Sequence, residues 1–228
     1  VLTAEKLNSK DDDGNVLLND FSITIHPGEK VAFVGMEHNS ITSFFDIVSE
    51  TKKPDSGTYS WGQTTSHSYM GRDNSAYFNN ELTITDWLKQ YSPDQDDAYV
   101  RGFLGRMLFS GDDGLKKVKV LSGGEKVRCM LSKMMLSGAN VLILDDPTNH
   151  LDLESIESLN EGLVKFPGVV MFSSHDHEFI STIANRIIEI TPKGIIDRMM
   201  NFDDYLKDDQ VKQLRKEYYA GLNKKIRI

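Results

Sequence analysis

A chain of 228 residues, 39% of them apolar, is long enough for one large α/β domain with a substantial core, or for two small ones. A net charge of -8 argues against a surface built as a nucleic-acid footprint, a local basic patch aside, and no direct DNA binding is expected. The single cysteine, Cys129, leaves no disulfide framework and fits a reducing, cytoplasmic compartment, and no apolar run approaches the roughly 18 residues that a membrane span needs.

The chain begins at Val1 without a signal pattern, so a fragment of a longer polypeptide is expected. Asp11 to Asn15 reads as a polar turn. Val16 to Ile25 alternates as a strand does, His26 to Glu29 is a turn, and Lys30 to Val34 is a second strand. Gly35 to Ser43 then leads into an apolar segment with Phe44, Phe45, Ile47 and Val48. Strand, turn and helix form the setting of a phosphate loop, G-x-x-x-x-G-K-[ST]. Gly35 and Thr42 match that pattern, whereas Ser40 and Ile41 stand where it has glycine and lysine. Glycines let successive backbone N–H groups wrap a phosphate. The lysine adds a charge-assisted contact worth about 1.5–3 kcal/mol. Isoleucine supplies neither charge nor donor.

Pro54 to Gly57 is a turn, followed by strands over Thr58 to Gly62 and Ser66 to Arg72. Glu81 to Leu88 opens a helical insert, Pro93 to Asp97 is a polar linker, and a second helix carries Val100, Phe103, Leu104, Met107 and Leu108 on one face, read as core. Lys116, Lys117 and Lys119 are a solvated charge run.

Leu121-Ser122-Gly123-Gly124-Glu125-Lys126 is a Gly-rich turn opening a helix, with Ser122 and Glu125 spaced as a capping box. Val127, Leu131, Met134 and Met135 line one face of that helix, and Val141 to Leu144 then runs as a buried parallel strand into Asp145-Asp146. Leu153 to Leu163 reads as a helix and Val169 to Phe172 as a strand ending in Ser173-Ser174-His175-Asp176. Ile187 to Thr191 and Ile195 to Asp197 form a hairpin, and the basic tail from Tyr205 is a terminal helix.

The LSGGEK run at 121–126, the strand ending in Asp145, Pro147-Thr148-Asn149-His150-Leu151-Asp152 and Ser174-His175-Asp176 together resemble an ATP-binding cassette of the ABC-F family, the second nucleotide-binding domain of a twin-cassette protein. Arg101 to Phe109 is similar to the helical subdomain of the YbiT-like subgroup. The resemblance covers nearly the whole chain. It implies a P-loop NTPase fold of RecA-like α/β type with an antiparallel β-subdomain and a helical signature subdomain at about 74–136, the cassette spanning 1–204 and a helical tail 205–228.

It also implies ATP and Mg2+ as cofactors, ATP hydrolysis as the activity, and another cassette and the ribosome as partners. By resemblance Gly35, Asn39, Ser40, Ile41, Thr42 and Ser43 form the nucleotide loop, with His38 where the family has a further glycine. Asp145 and Thr42 serve the metal, and His175 the γ-phosphate. Asp146 takes the place of the catalytic glutamate, one methylene shorter, and Arg72 that of a glutamine that contacts magnesium and water. An aspartate replaces the aromatic residue that stacks on adenine near the turn at 11–15. Ser122, Gly123, Gly124, Glu125 and Asp152 would act on a nucleotide held by the opposing cassette. The altered loop implies weak or absent activity for this cassette alone. Two further readings remain open at this point: a pseudo-cassette acting as an interaction scaffold, and the ATP-binding subunit of a transporter.

Overall fold

A computed structural model describes residues 1–92, 96–107, 109–149 and 151–220. His150 of the expected motif, Leu108 of the expected apolar face, most of the polar linker and the last eight residues of the tail lie outside the described residues.

Two sheets organise the described chain. The smaller is antiparallel with order β2-β1-β4, from β1 (Leu2–Lys10), β2 (Val16–Ile25) and β4 (Ser56–Trp61). The larger has order β5-β6-β7-β3-β8-β9, built from β3 (Lys30–Val34), β5 (His67–Met70), β6 (Val141–Asp145), β7 (Val169–Ser173), β8 (Arg186–Thr191) and β9 (Gly194–Arg198). All its pairings are parallel except β8 with β9.

The central strands read as unbroken apolar runs because both faces of the larger sheet are covered. Successive side chains leave a strand on opposite faces. Val141, Ile143, Val169, Met171, Val31 and Phe33 therefore enter one core cluster, with the small sheet and α1 (His38–Val48). Leu142, Leu144, Val170, Phe172, Ala32 and Val34 enter the other. Phe44 of α1 packs on Phe21 and Phe33 at ring distances of 4.9 and 5.2 Å, tying the small sheet to the large one. Burial of each such ring contributes about 1.5–3 kcal/mol.

The second cluster is roofed by α2 (Ile84–Lys89), α3 (Asp97–Arg106), α4 (Gly123–Leu136), α5 (Leu153–Lys165) and α6 (His177–Ile183). Side chains set where four of the later helices begin. Ser122 accepts from the Glu125 amide, Asp152 from Ser155, Asp176 from Phe179, and Asp208 from Val211 at the start of α8 (Asp209–Tyr218). Each removes one of the orphan donors of a first turn, worth about 1 kcal/mol. Cys129 is fully buried in α4, where burial pushes its thiol up, so it is an ordinary core residue.

The helical tail expected from Tyr205 begins inside α7 (Phe202–Lys207), and Tyr205 itself is completely buried rather than part of a fraying end. Among the described residues no helix is long and apolar enough to cross a membrane.

Candidate functional site: a loop closed on its own carboxylate

Functional groups gather where β3, β6 and β7 end side by side, the crevice that open α/β sheets use for ligands. The parallel register sets Asp145 opposite Ser173, so both reach the same carboxyl end. Between β3 and α1 the chain turns at Gly35 with φ +147°, and a Cβ there would lie 2.5 Å from the Ile190 carbonyl oxygen. Only glycine fits that position.

Beyond Gly35 the loop is short. α1 begins at His38, and the Ser40 N–H already donates to the Glu37 carbonyl at 3.0 Å. Ile41 is 1% exposed within the apolar cluster under α1. The Ser43 hydroxyl pairs with Ser9 at 2.8 Å inside the core, directed away from the crevice, whereas Asn39 is exposed.

The centre of the arrangement is Asp145, 1% exposed. His38 Nε2 hydrogen-bonds its Oδ1 at 2.9 Å, Ser173 Oγ donates to the same oxygen at 2.9 Å, and Thr42 Oγ1 donates to Oδ2 at 2.7 Å. Burial raises the carboxyl, but the donors His38, Thr42 and Ser173 outweigh it and hold Asp145 below the ordinary carboxylate value. His175 lies against His38 at 5.3 Å between ring centroids, the two rings tilted by 34°. The two line a small cavity of about 120 Å3 with Ile41, Ser174 and His177. Thr148 and Ser174 share a hydrogen bond of 2.7 Å, joining the segment after β6 to the one after β7.

Asp146 follows in a left-handed backbone with φ +53°, its N–H donating to Ser173 Oγ at 2.9 Å. Its Oδ2 lies 3.6 Å from the Arg72 guanidinium. Arg72 is thus placed on the neighbouring carboxylate, across a cavity of about 100 Å3 that both residues line with Asp145, Val127 and Asn149. Asp146→Val is expected to cost about 1–2 kcal/mol in a denaturant melt, because a β-branched residue resists that backbone. Asp146→Gly should stay within about 1 kcal/mol of the parent.

A second constellation sits at the start of α4. Ser122 Oγ accepts from the Glu125 N–H at 3.3 Å, and Glu125 Oε2 accepts from the Ser122 N–H at 2.8 Å. Lys116 pairs with the other Glu125 oxygen at 3.0 Å. Ser122 and Gly123 are exposed, and first-turn amides have no intrahelical carbonyl to reach. Gly124 is buried against the next helix, where a Cβ would come within 2.2 Å of Ser155 Oγ and 3.6 Å of Asp152. The glycine therefore lets the two helix starts touch.

The structure thus brings together Thr42 with Asp145, Arg72 with Asp146, and Gly124 with Asp152. Sequence reasoning missed Ser173, and it took His38 only as a lost glycine. The strand-end position of Ser173, after a continuous apolar run, was the available signal. Among the described residues no cluster of three or more His, Cys, Asp or Glu side chains is placed to hold a metal ion.

Comparison with known proteins supplies the family. The family model described as ABC transporter matches residues 18–149. The chain is 55% identical over 222 residues to the uncharacterized ABC transporter ATP-binding protein YkpA of Bacillus subtilis strain 168, covering 96% of this chain and 41% of that protein. It is 43% identical to the probable ATP-binding protein YbiT of Escherichia coli O157:H7, over 86% of this chain and 37% of that one. Against the energy-dependent translational throttle protein EttA of Escherichia coli K12, identity is 32% over 83% of this chain and 35% of EttA. The chain thus spans about two fifths of the length of these relatives. In fold it is similar to the dimeric post-hydrolysis structure of the ATP-binding cassette MJ0796 bound to ADP and Pi, with a TM-score of 0.75 at 15% identity, over 88% of this chain and 99% of that one. An α/β cassette with an antiparallel sheet, a helical layer over its signature turn and this family match has one assignment: the chain belongs to the ABC transporter family, as an ATP-binding cassette.

Proposed function

We propose that this is a cassette of a twin-cassette ABC-F type ATPase whose own nucleotide position is degenerate, and whose signature turn completes the site of a partner cassette. The observation that carries this reading is the contrast between the two ends of the site. Asp145 is satisfied by His38, Thr42 and Ser173 of the same chain. Ser122 and Gly123 instead are exposed, next to Gly124, which packs against the Asp152 turn.

ATP and Mg2+, the cofactors of the family, do not fit the first end. A cation at Asp145 would meet a buried carboxylate already held by His38, Thr42 and Ser173, and the loop's Ser40 amide is spent on Glu37. Ile41 would bring no charge to a triphosphate. Asp146 is turned toward Arg72 and held by a left-handed backbone, so no activation of water is assigned to it.

The second end suits a partner. Amides at a helix N-terminus are an anion site. Exposed Val120 and Leu153, 65% and 78% accessible, flank Ser122 and Asp152. The MJ0796 structure is a dimer by its own description. The greater length of YkpA, YbiT and EttA leaves room for a second cassette. The name of EttA, a translational throttle, supports a ribosome-associated, cytoplasmic role.

The test is a chimera of YkpA in which this chain replaces its matching segment. ATP turnover by the chimera supports service to the other cassette. Absence of turnover in a folded chimera supports the scaffold reading instead.

A further inference from the structure

A groove of about 510 Å3 runs along α5 where that helix meets α3 and α4. It shares no residue with the cavity between Arg72 and Asp146. Its floor is apolar: Phe103 and Met107 come from α3 and its C-terminal cap, Met135 from α4, and Phe166 from the cap of α5. Gly162 on α5 keeps the floor open. A Cβ there would lie 3.2 Å from a Leu131 methyl and 3.8 Å from the methyls of Met107 and Met135. Methionine is unbranched and adapts to the shape laid on it.

One end of the groove is fixed by the sheet. Lys30 on β3 donates to the Phe166 and Gly168 carbonyls at 2.6 and 2.8 Å, and its ammonium stands 5.1 Å from the centre of the Phe166 ring. The wall is acidic. Glu154, Glu157 and Glu161 are exposed and stand at i, i+3 and i+7 on α5, one helix face over roughly 10 Å. Glu161 has Lys165 at 3.2 Å, whereas among the described residues neither Glu154 nor Glu157 has an ion pair.

An apolar floor beside a row of like charges suits an occupant that is apolar on one face and cationic on its flank. The net charge of -8 favours a basic partner in the same sense. Helices seat apolar residues at i, i+3 or i+4 and i+7 in grooves of this kind. The glutamates repeat over the same two turns.

We propose that this groove docks a basic amphipathic helix of a partner protein, laid along α5. Its apolar face rests on Met107, Met135 and Phe166, and its lysines or arginines meet Glu154 and Glu157. No residue assigned to the nucleotide loop or the signature turn takes part, so the proposal stands apart from the proposed function.

The probe is a synthetic helix of about four turns, leucine on one face and lysine on the other. It is titrated into the full chain while methionine methyl signals are followed by NMR. Saturable binding should shift Met107 and Met135 and leave Met36 and Met70 in place. A scrambled peptide of the same composition, with its charge but no apolar face, should bind at least tenfold more weakly. Glu154→Lys with Glu157→Lys, both at exposed positions, should weaken the ordered peptide at least tenfold, because attraction becomes repulsion. Silent Met107 and Met135 signals, equal affinity for the scrambled peptide, or unchanged affinity in the double variant would overturn the docking groove.

Discussion

Ser122→Arg should cut ATP turnover of the two-cassette chimera by roughly 10²-fold or more while leaving it folded. Removing a preorganised donor from a site of developing charge costs about 10²–10³ in rate. Arginine here does more, since it fills the approach to the exposed Gly123 amide. On the stability side, the lost cap costs about 1 kcal/mol. A cation at the positive end of α4 adds about 0.3–1 kcal/mol. The thermal midpoint should therefore fall by only a few degrees, roughly 2–4 °C per kcal/mol for a domain of this size. Steady-state turnover and a thermal melt on the same preparation separate the two effects. Turnover that survives the substitution would mean the signature turn serves no nucleotide.

Glu189→Ala should give the largest loss of stability. The carboxylate is fully buried, and its removal strands the Tyr205 and Tyr219 hydroxyls and the Arg215 guanidinium, which is only 16% exposed. Breaking one side of a buried charged network costs about 3–5 kcal/mol, because the remaining partners stay desolvated. At 2–4 °C per kcal/mol the midpoint should drop by roughly 6–20 °C. Glu189→Gln keeps an acceptor for the tyrosines and should lose less. Equal melts for the parent and Glu189→Ala would show that α7 and α8 are not held through this residue.

The two predictions draw on parts of the molecule that differ in how readily the sequence announces them. β2 and β3 follow the boundaries read from alternation and from the turn at 26–29, since local pattern alone decides them. The capping box at Ser122 and Glu125 is a three-residue relation and was equally legible. His38 and Asp145 are 107 residues apart, and nothing local says that an imidazole will meet that carboxylate. Their meeting depends on strand order, with β7 between β3 and β6. The strand-end position of Ser173 is visible in the sequence, but its partner becomes legible only once Asp145 is known to stand opposite it. Tyr205 reads as tail because the chain around it is polar, yet its hydroxyl is claimed by Glu189 on β8. Local periodicity gave the layers, and the contacts between layers decided what the site can hold.

A calorimetric titration of the isolated chain with Mg-ATP bears most directly on the central claim, that this cassette's own nucleotide position is closed by its own side chains. The expected result is no saturable binding up to about 1 mM, corresponding to less than about 4 kcal/mol of binding free energy. A dissociation constant near 1 μM, about 8 kcal/mol, would contradict it. That outcome would mean that His38 and Thr42 give up Asp145 readily to a nucleotide-bound cation.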